Sequence, residues 1–94
     1  MKFIWDKAKN QKNIHKHDLD FRDVPGVFEG NVITIEDERF DYGEARFNTF
    51  GMYQDVVVVI SHTELKRKTT RIISLRKASR PERSLYEKEV LLRY

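Results

Sequence analysis

The start of the chain places hydrophobic and polar residues in an order that predicts one strand followed by one helix. Phe3 to Trp5 is a short apolar run bounded by polar residues, which is typical of a strand. Asp6 can then cap a helix that runs from Lys7 to about His17. Ala8 and Ile14 are the clearest inward candidates of this helix. Because its other positions are polar, we expect it to lie on the surface.

A second, shorter helix is predicted after a turn at Asp18, a residue type that tolerates unusual backbone angles better than most. Asp20 is a candidate N-cap for residues 21–28. Pro25 lies past the first turn and lacks an N–H donor, and Gly26 adds flexibility. We therefore expect this helix to be short or distorted.

The middle of the chain predicts an antiparallel meander of three to four strands. The strand-like segments are residues 32–35, 45–50, 56–63 and 69–77. Val56 to Ile60 is apolar at every position, as expected of a central strand. Asp41 to Gly43 is a turn signal before the second strand, and the charged segment Glu64 to Lys68 is the expected hairpin loop between the last two.

The last predicted strand contains two arginines, and the face of the sheet on which each lies decides whether they can serve one site. Strict two-residue alternation places Arg71 on one face with Ile73, Leu75 and Lys77, and Arg76 on the other with Thr70, Ile72 and Ser74. The two arginines can then serve one site only if a bulge or the strand end intervenes.

A final helix is predicted to begin at Ser79. Glu82 follows with the spacing of a capping box, and Pro81 fits the first turn. The apolar side of this helix is expected to consist of Leu85, Val90, Leu91 and Leu92. The order of elements predicts an α+β fold in a single domain over residues 1–94: an N-terminal strand and two helices, an antiparallel meander of three to four strands, and a C-terminal helix.

Composition excludes several classes of protein. The chain has no cysteine, which excludes disulfides, thiolate zinc sites and cysteine nucleophiles. The histidines His15, His17 and His62 are not spaced for one metal site, so we expect neither metal nor cofactor. No apolar run approaches the roughly 20 residues of a membrane span, and the start lacks a secretory signal. We therefore expect a cytoplasmic protein that does not contact a membrane.

Charge is distributed unevenly along the chain. The formal net charge is +3, but eight basic side chains and one acidic side chain lie between Leu65 and Arg83, a local net charge of +7. The segment from Glu29 to Glu44 is acidic. A one-sided basic cluster is typical of a surface that binds a polyanion such as nucleic acid. The alternative is a solvated face that pairs with the acidic segment of the same domain.

Five short motifs resemble those of the BrnT toxin family and occur in the same order. They are FIWD at Phe3 to Asp6, N-x-x-K-H at Asn13 to His17, GEARF at Gly43 to Phe47, RIISLRKAS at Arg71 to Ser79, and ERSLYE at Glu82 to Glu87. Together they cover almost the whole chain, and the last two are the most specific. One departure is Asp18, where the family usually has glycine after the Lys-His pair.

The resemblance implies a fold like that of the RelE toxins and the activity of a ribonuclease toxin, which we interpret as metal-independent endoribonuclease activity. It also implies a bacterial type II toxin–antitoxin module, in which a small cognate antitoxin of the BrnA type masks the toxin and represses the shared operon. RNA is then the expected substrate, and operator DNA is contacted only through the antitoxin. Growth arrest by the free toxin is the expected cellular effect.

Metal-free RNA cleavage needs proton transfer at two oxygens and cations that balance the charge of the transition state. Arg46 and Arg76 are the predicted phosphate-stabilising pair, because a guanidinium stays charged and binds phosphate through two N–H groups. The candidates for proton transfer are His17, His62, Glu44 and Tyr86. Each also has a structural interpretation: Arg46 can pair with Glu44, His17 can lie at its helix C-terminus, and Tyr86 can pack in the core.

The remaining basic residues are predicted to contact the RNA backbone. They are Lys66, Arg67, Lys68, Arg71, Lys77 and Arg80. His62 is interpreted as a surface histidine near a strand end. Two further functions stay open at this point: a non-catalytic nucleic-acid-binding module, which would bind RNA without cutting it, and a protein-interaction module, whose basic face would serve an acidic protein partner.

Overall fold

One mixed sheet of five strands organises the part of the chain that the computed structural model describes, residues 1–90 and 92. The elements are β1 (Lys2–Ile4), α1 (Lys7–His17), a 3₁₀ turn (Phe21–Asp23) that leads into α2 (Val24–Phe28), β2 (Ile33–Asp37), β3 (Arg46–Tyr53), β4 (Val56–Leu65), β5 (Thr69–Lys77) and α3 (Arg80–Glu89). The strand order is β1-β5-β4-β3-β2. Strands β2 to β5 form the predicted antiparallel meander, with four strands.

The N-terminal strand completes this sheet and adds its parallel pair. Residues Lys2–Ile4 pair in parallel with β5, with Lys2 opposite Thr69 and Ile4 opposite Arg71. The sequence predicted this strand but not its partner, since three residues contain no signal for pairing across more than sixty positions of chain. The sheet is therefore mixed, and the predicted meander is only four-fifths of it.

Helix α1 has the predicted bounds but a different inward face. The Asp6 carboxylate accepts the Lys9 N–H at 3.1 Å, and Asp18 ends the helix with a left-handed φ of 57°. Ala8, which we expected to point inward, is exposed, and Ile14 is half-buried. The buried positions are instead Asn10 and Asn13.

Asn13 acts as a substitute strand partner for β5. Its side-chain amide donates to the Leu75 carbonyl at 2.9 Å, and its carbonyl oxygen accepts the Leu75 N–H at 3.1 Å. The amide also donates to the carbonyl of Leu19 at 2.9 Å. Buried backbone groups need hydrogen-bond partners. These bonds supply partners for the Leu75 N–H and C=O, which lie beyond the end of the short β1, and they hold α1 against β5.

The second helical segment is distorted, as predicted. The Asp20 carboxylate accepts the Arg22 N–H and begins a 3₁₀ turn, and the α-helix proper starts only at Val24. Pro25 lies in the first turn of that α-helix, where its missing N–H costs nothing. We expected Pro25 to remove an interior hydrogen bond, and that expectation was wrong because the proline marks the start of the helix.

A β-bulge in β5 overturns the predicted alternation of its side chains. Ser61 pairs with Ser74, but its neighbour His62 pairs with Ile72, so Ile73 is an extra residue on β5. Past a bulge the facing of the strand changes by one residue. Ile72 and Leu75 accordingly both lie in the same core. Arg71 and Arg76 therefore share the other face of the sheet.

The two faces of the sheet have separate cores. On one face, Val58, Ile60, Ile72 and Leu75 pack with Leu19, Phe21, Val24 and Val27 from the helical segment between α1 and β2. On the other, α3 contributes Tyr86 and Val90 to a smaller cluster with Phe50, Val57 and Val59. Val90 is buried as predicted, but Leu85 and Leu92 are exposed, and Leu91 lies outside the described residues.

Ser79 and Glu82 form the predicted capping box at the start of α3, with both reciprocal bonds present. No helix among the described residues has both the length and the apolar character needed to cross a lipid bilayer.

Candidate functional site

The half of the sheet face next to α3 presents polar, half-exposed side chains from three strands. We call this surface the arginine face and define it by Arg46, Asn48, Ser61, Arg71, Ser74 and Arg76. The α3 core covers only the half that holds Phe50, Val57 and Val59. The bulge at Ile73 creates this surface, because without it Arg71 would lie on the opposite face.

Two arginines from different strands meet at one carboxylate. Arg71 Nη2 donates to both oxygens of Glu44, at 2.9 and 2.7 Å, and Arg46 Nε lies 3.4 Å from Glu44 Oε2. The Arg46 guanidinium also lies 4.0 Å above the centre of the Tyr42 ring, a cation–π contact. We call Arg46, Glu44 and Arg71 the arginine clamp. Its guanidiniums retain 30% and 42% side-chain exposure, so a ligand can reach them.

Arg76 is held by the capping residue of α3. Its Nη1 and Nη2 donate to the two oxygens of Glu82 at 2.7 and 2.9 Å, and Nη1 also donates to the Lys77 carbonyl at 3.3 Å. The ion pair raises the pKa of Arg76 and lowers the pKa of Glu82 to about 2. Of the five guanidinium N–H groups, contacts within the described residues use three, which leaves Nε and one Nη2 proton for a ligand.

His17 lies close enough to Arg76 to respond to its charge. The pKa of His17 is lowered mainly by burial, and to a smaller extent by the positive charges of Lys16 and Arg76. The backbone N–H of Asp18, which donates to Ile14 at 2.8 Å, closes the end of α1 without the histidine side chain. A shallow cleft of about 210 Å³ runs past His17 between α1 and β5. The imidazole is therefore neutral near pH 7 and can accept a proton.

The predicted pairing of Arg46 with Arg76 does not occur. Arg76 is level with Val59 and Phe50 in the sheet, and Arg46 lies four residues farther along β3. With about 3.3 Å per residue and about 4.8 Å between strands, their Cα atoms are about 16 Å apart. Arg46 is instead level with Arg71, two strands away. The structure groups Arg46 with Arg71, and Arg76 with His17.

Tyr86 is a core residue rather than a proton donor to substrate. Its side chain is fully buried against the α3 core, and its hydroxyl donates to the Asn31 carbonyl at 2.6 Å. Burial raises the pKa of this phenol. Both facts favour the core-packing interpretation of Tyr86 over a role in proton transfer. They follow from its place on the inner side of α3, and helical spacing alone cannot distinguish an inner position from an accessible one.

The predicted RNA-binding residues lie at both ends of the arginine face. Lys66, Arg67 and Lys68 form the turn between β4 and β5, where Arg67 and Lys68 adopt left-handed φ angles of 61° and 54°. All three are exposed beyond Arg71. Lys77 and Arg80 are exposed near Arg76, at the other end of β5.

His62 is buried on the opposite face, contrary to its interpretation as a surface histidine. Its Nε2 lies 2.7 Å from Thr49 Oγ1 and its Nδ1 lies 2.8 Å from Glu64 Oε2. Phe28 and Phe47 pack against the ring. Burial lowers the pKa of His62 more than Glu64 raises it. Thr49 is fully buried, so the hydrogen-bonded group of Thr49, His62 and Glu64 stabilises the sheet, and its Thr49 hydroxyl is not accessible as a nucleophile.

Sequence reasoning missed two features that shape the site. Asn13, which positions α1 and hence His17, lies in the N-x-x-K-H motif, but the motif does not indicate the role of this residue. The loop between β2 and β3 contains two aromatic residues, Phe40 and Tyr42, whereas the sequence indicates only a turn there. Within residues 1–90 and 92, no three His, Asp or Glu side chains are grouped as metal ligands.

Comparison with known proteins identifies a family and a similar solved structure. The family model described as "Ribonuclease toxin, BrnT, of type II toxin-antitoxin system" matches residues 5–82. A crystal structure of the Brucella abortus ribonuclease toxin BrnT is similar to this chain, with a TM-score of 0.63 and 28% sequence identity. The match covers 85% of this chain and 99% of the Brucella chain. A comparison with curated proteins finds no match.

Proposed function

We propose that this chain, which belongs to the BrnT family of ribonuclease toxins from type II toxin–antitoxin systems, cuts RNA internally, without a metal ion, on the arginine face. We further propose that it acts in the cytoplasm, where it arrests growth until a BrnA-like antitoxin masks it. That antitoxin would be the part of the complex that binds operator DNA. The observation that supports the cleavage site most strongly is the bulge at Ile73, because it places Arg71 and Arg76 on one accessible face.

In this proposal, Arg76 stabilises the scissile phosphate. Glu82 fixes the guanidinium, and the contacts among residues 1–90 and 92 leave two N–H donors for the oxygens that gain charge in the transition state. Preorganised donors of this kind are often the largest single contribution to catalysis. Removing one typically lowers the rate by about a hundredfold to a thousandfold.

His17 is the proposed base that takes the proton from the attacking 2′-hydroxyl. It is neutral near pH 7, half-exposed and close to Arg76, which are the three properties that this role requires. After the 2′-oxygen attacks phosphorus, the 5′-oxygen leaves and must be protonated. The imidazolium of His17 or a solvent water can supply that proton.

The arginine clamp is the proposed binding site for a neighbouring phosphate on the same strand. Glu44 acts here as a positioning residue rather than a base, because both of its oxygens are engaged by arginines. Arg71 uses only Nη2 for Glu44 among contacts of the described residues, so its other N–H groups can bind phosphate. The basic residues at both ends of β5 would extend this path for the RNA backbone.

The decisive test is RNA cleavage by the purified protein in excess EDTA. We expect the wild type to cut single-stranded RNA internally and Arg76→Ala to be slower by about a hundredfold or more. The matched control is Arg22→Ala, which removes an exposed arginine paired with Asp20 away from the arginine face. We expect it to cut within about twofold of wild type, because no proposed catalytic contact is lost.

Two results would contradict the proposal. Full activity of a folded Arg76→Ala protein, with folding checked by circular dichroism, would remove the catalytic site from the arginine face. Binding of RNA by the wild type without any cleavage would indicate a non-catalytic module. Expression of the toxin with and without the neighbouring antitoxin gene tests growth arrest separately.

A further inference from the structure

The loop between β2 and β3 exposes an aromatic ring beside the arginine clamp. Phe40 has 65% of its surface exposed. Its ring centre lies 5.8 Å from that of Tyr42, edge to face, and the Arg39 guanidinium lies 5.6 Å from the Phe40 ring centre. Tyr42 in turn supports Arg46 of the clamp. An exposed aromatic ring is thus connected to the clamp through a single intermediate side chain.

This loop is held in one conformation by its own side chains. The Asp37 carboxylate accepts Arg39 Nε at 2.9 Å, Arg39 Nη2 at 3.0 Å and the Tyr42 hydroxyl at 3.1 Å. The Asp41 carboxylate accepts the Gly43 N–H at 3.0 Å, and Gly43 has a left-handed φ of 74°. Because Arg39 and Tyr42 are fixed on either side of it in sequence, Phe40 is presented to solvent in a defined position.

Positive charge on two sides of the ring defines the ligand it suits. Arg39 lies over Phe40 itself, and Arg46 and Arg71 lie beyond Tyr42 in the clamp. Single-stranded RNA presents phosphates and unpaired bases side by side, and its bases stack on aromatic rings.

We propose that Phe40 stacks on an unpaired nucleobase of an RNA strand whose backbone is bound by Arg46 and Arg71. This inference rests on the proposed function, since it assumes that RNA occupies the arginine face. Every base has a flat aromatic surface, so the contact is tolerant of sequence and selects unpaired over paired RNA. The edge of Tyr42 and the guanidinium of Arg39 hold the ring in place for the base.

The test measures affinity for a single-stranded RNA in which every 2′-hydroxyl is methylated, so that it cannot be cut. We expect Phe40→Ala to weaken binding by at least about fivefold, and Phe40→Trp to stay within about twofold of wild type. The salt dependence of affinity is expected to be the same in all three proteins, because no phosphate contact changes. Val56→Ala, another exposed apolar truncation at the far end of β4, is the matched control and is expected to bind like wild type.

A second readout reports on the ring itself. Fluorescence of Phe40→Trp, corrected for Trp5 by the wild-type signal, is expected to be quenched by the methylated RNA. A strand of equal length that lacks bases is expected to leave the fluorescence unchanged, since it has phosphates but nothing to stack.

The outcomes separate the two proposals. If wild type binds or cuts RNA and Phe40→Ala binds it equally well, stacking is overturned and the proposed function stands. If wild type neither binds the methylated strand nor cuts ordinary RNA, both are overturned. If Phe40→Ala keeps its RNA affinity but escapes neutralisation by the antitoxin, the ring is a protein contact and the stacking proposal is wrong.

Discussion

At the scale of single residues, the proposed mechanism depends on the ionisation of His17. Burial and two neighbouring cations, Lys16 and Arg76, all favour its neutral form. The pKa of His17 therefore lies below the ordinary value of 6.5. A base that is neutral near pH 7 is available without first losing a proton to solvent.

This electrostatic account predicts the direction of a measurable shift. Titration of the histidine ring signals by NMR should give a His17 pKa below 6.5 in the wild type. Lys16→Gln and Arg76→Gln should each raise it, because each removes a cation that opposes protonation. Lys88→Gln, on α3, is the control and is expected to leave the pKa of His17 unchanged. A His17 pKa at or above 6.5, or one that neither substitution near it moves, would contradict the proposed environment of the base.

Local residue chemistry was largely predictable, whereas burial across the sheet was not. Asp6, Asp18 and Ser79 have the backbone roles that their side chains predicted, because caps and turns depend on neighbours a few residues away. His62 was wrongly placed on the surface, and Tyr86 was left with both a catalytic and a core interpretation. Their surroundings come from residues 13 and 55 positions distant, and spacing contains no information about such contacts.

At the scale of elements, the edge of β5 is where the fold and the site meet. The strand pairs with the short β1 over Thr69 to Arg71, and beyond it Asn13 takes over as partner of Leu75. One asparagine side chain thus fixes α1 beside the strand that contains Arg71 and Arg76. His17 lies one helical turn beyond Asn13, so its position depends on the same contact.

Replacing Asn13 by alanine should therefore be costly. It leaves the Leu75 N–H and C=O and the Leu19 C=O without their side-chain partner in a buried setting. We expect a loss of about 2–4 kcal/mol in the free energy of unfolding, measured by urea denaturation. Lys12→Ala, at an exposed neighbouring position of α1, is expected to change it by less than about 0.5 kcal/mol. An Asn13→Ala protein as stable as the control would show that these bonds do not hold α1 to the sheet.

The bulge shows why the site itself could not be predicted from alternation. The segment from Arg71 to Arg76 contains no glycine or other residue that signals a bulge. Strict alternation of side chains between the two faces was therefore expected. The bulge appears only in the register of β5 against β4. The strand itself was predicted with its exact bounds. One extra residue nevertheless reversed the predicted facing of Arg71 relative to Arg76, on which the proposed function depends.

At the scale of the whole molecule, the two faces of the sheet differ in how far they are covered. One face holds the larger core under the segment from Leu19 to Val27, and the other is half covered by α3 and half open. Seven basic residues of the second half of the chain lie on that open half or at its ends: Lys66, Arg67, Lys68, Arg71, Arg76, Lys77 and Arg80. The uneven charge seen in the sequence is therefore a property of one surface, as a polyanion-binding face requires.

The central claim is that a single RNA strand lies across the arginine face, and NMR mapping with a fully 2′-O-methylated strand tests it most directly. We predict that the Nε–Hε signals of Arg46, Arg71 and Arg76 and the amide of Ser74 shift on titration. Signals of Arg22 and Asp20, in the segment between α1 and α2 that packs on the other face of the sheet, should stay unchanged. Shifts confined to Arg22 and its surroundings, with the three arginines of the face unaffected, would place the nucleic acid elsewhere and contradict the account.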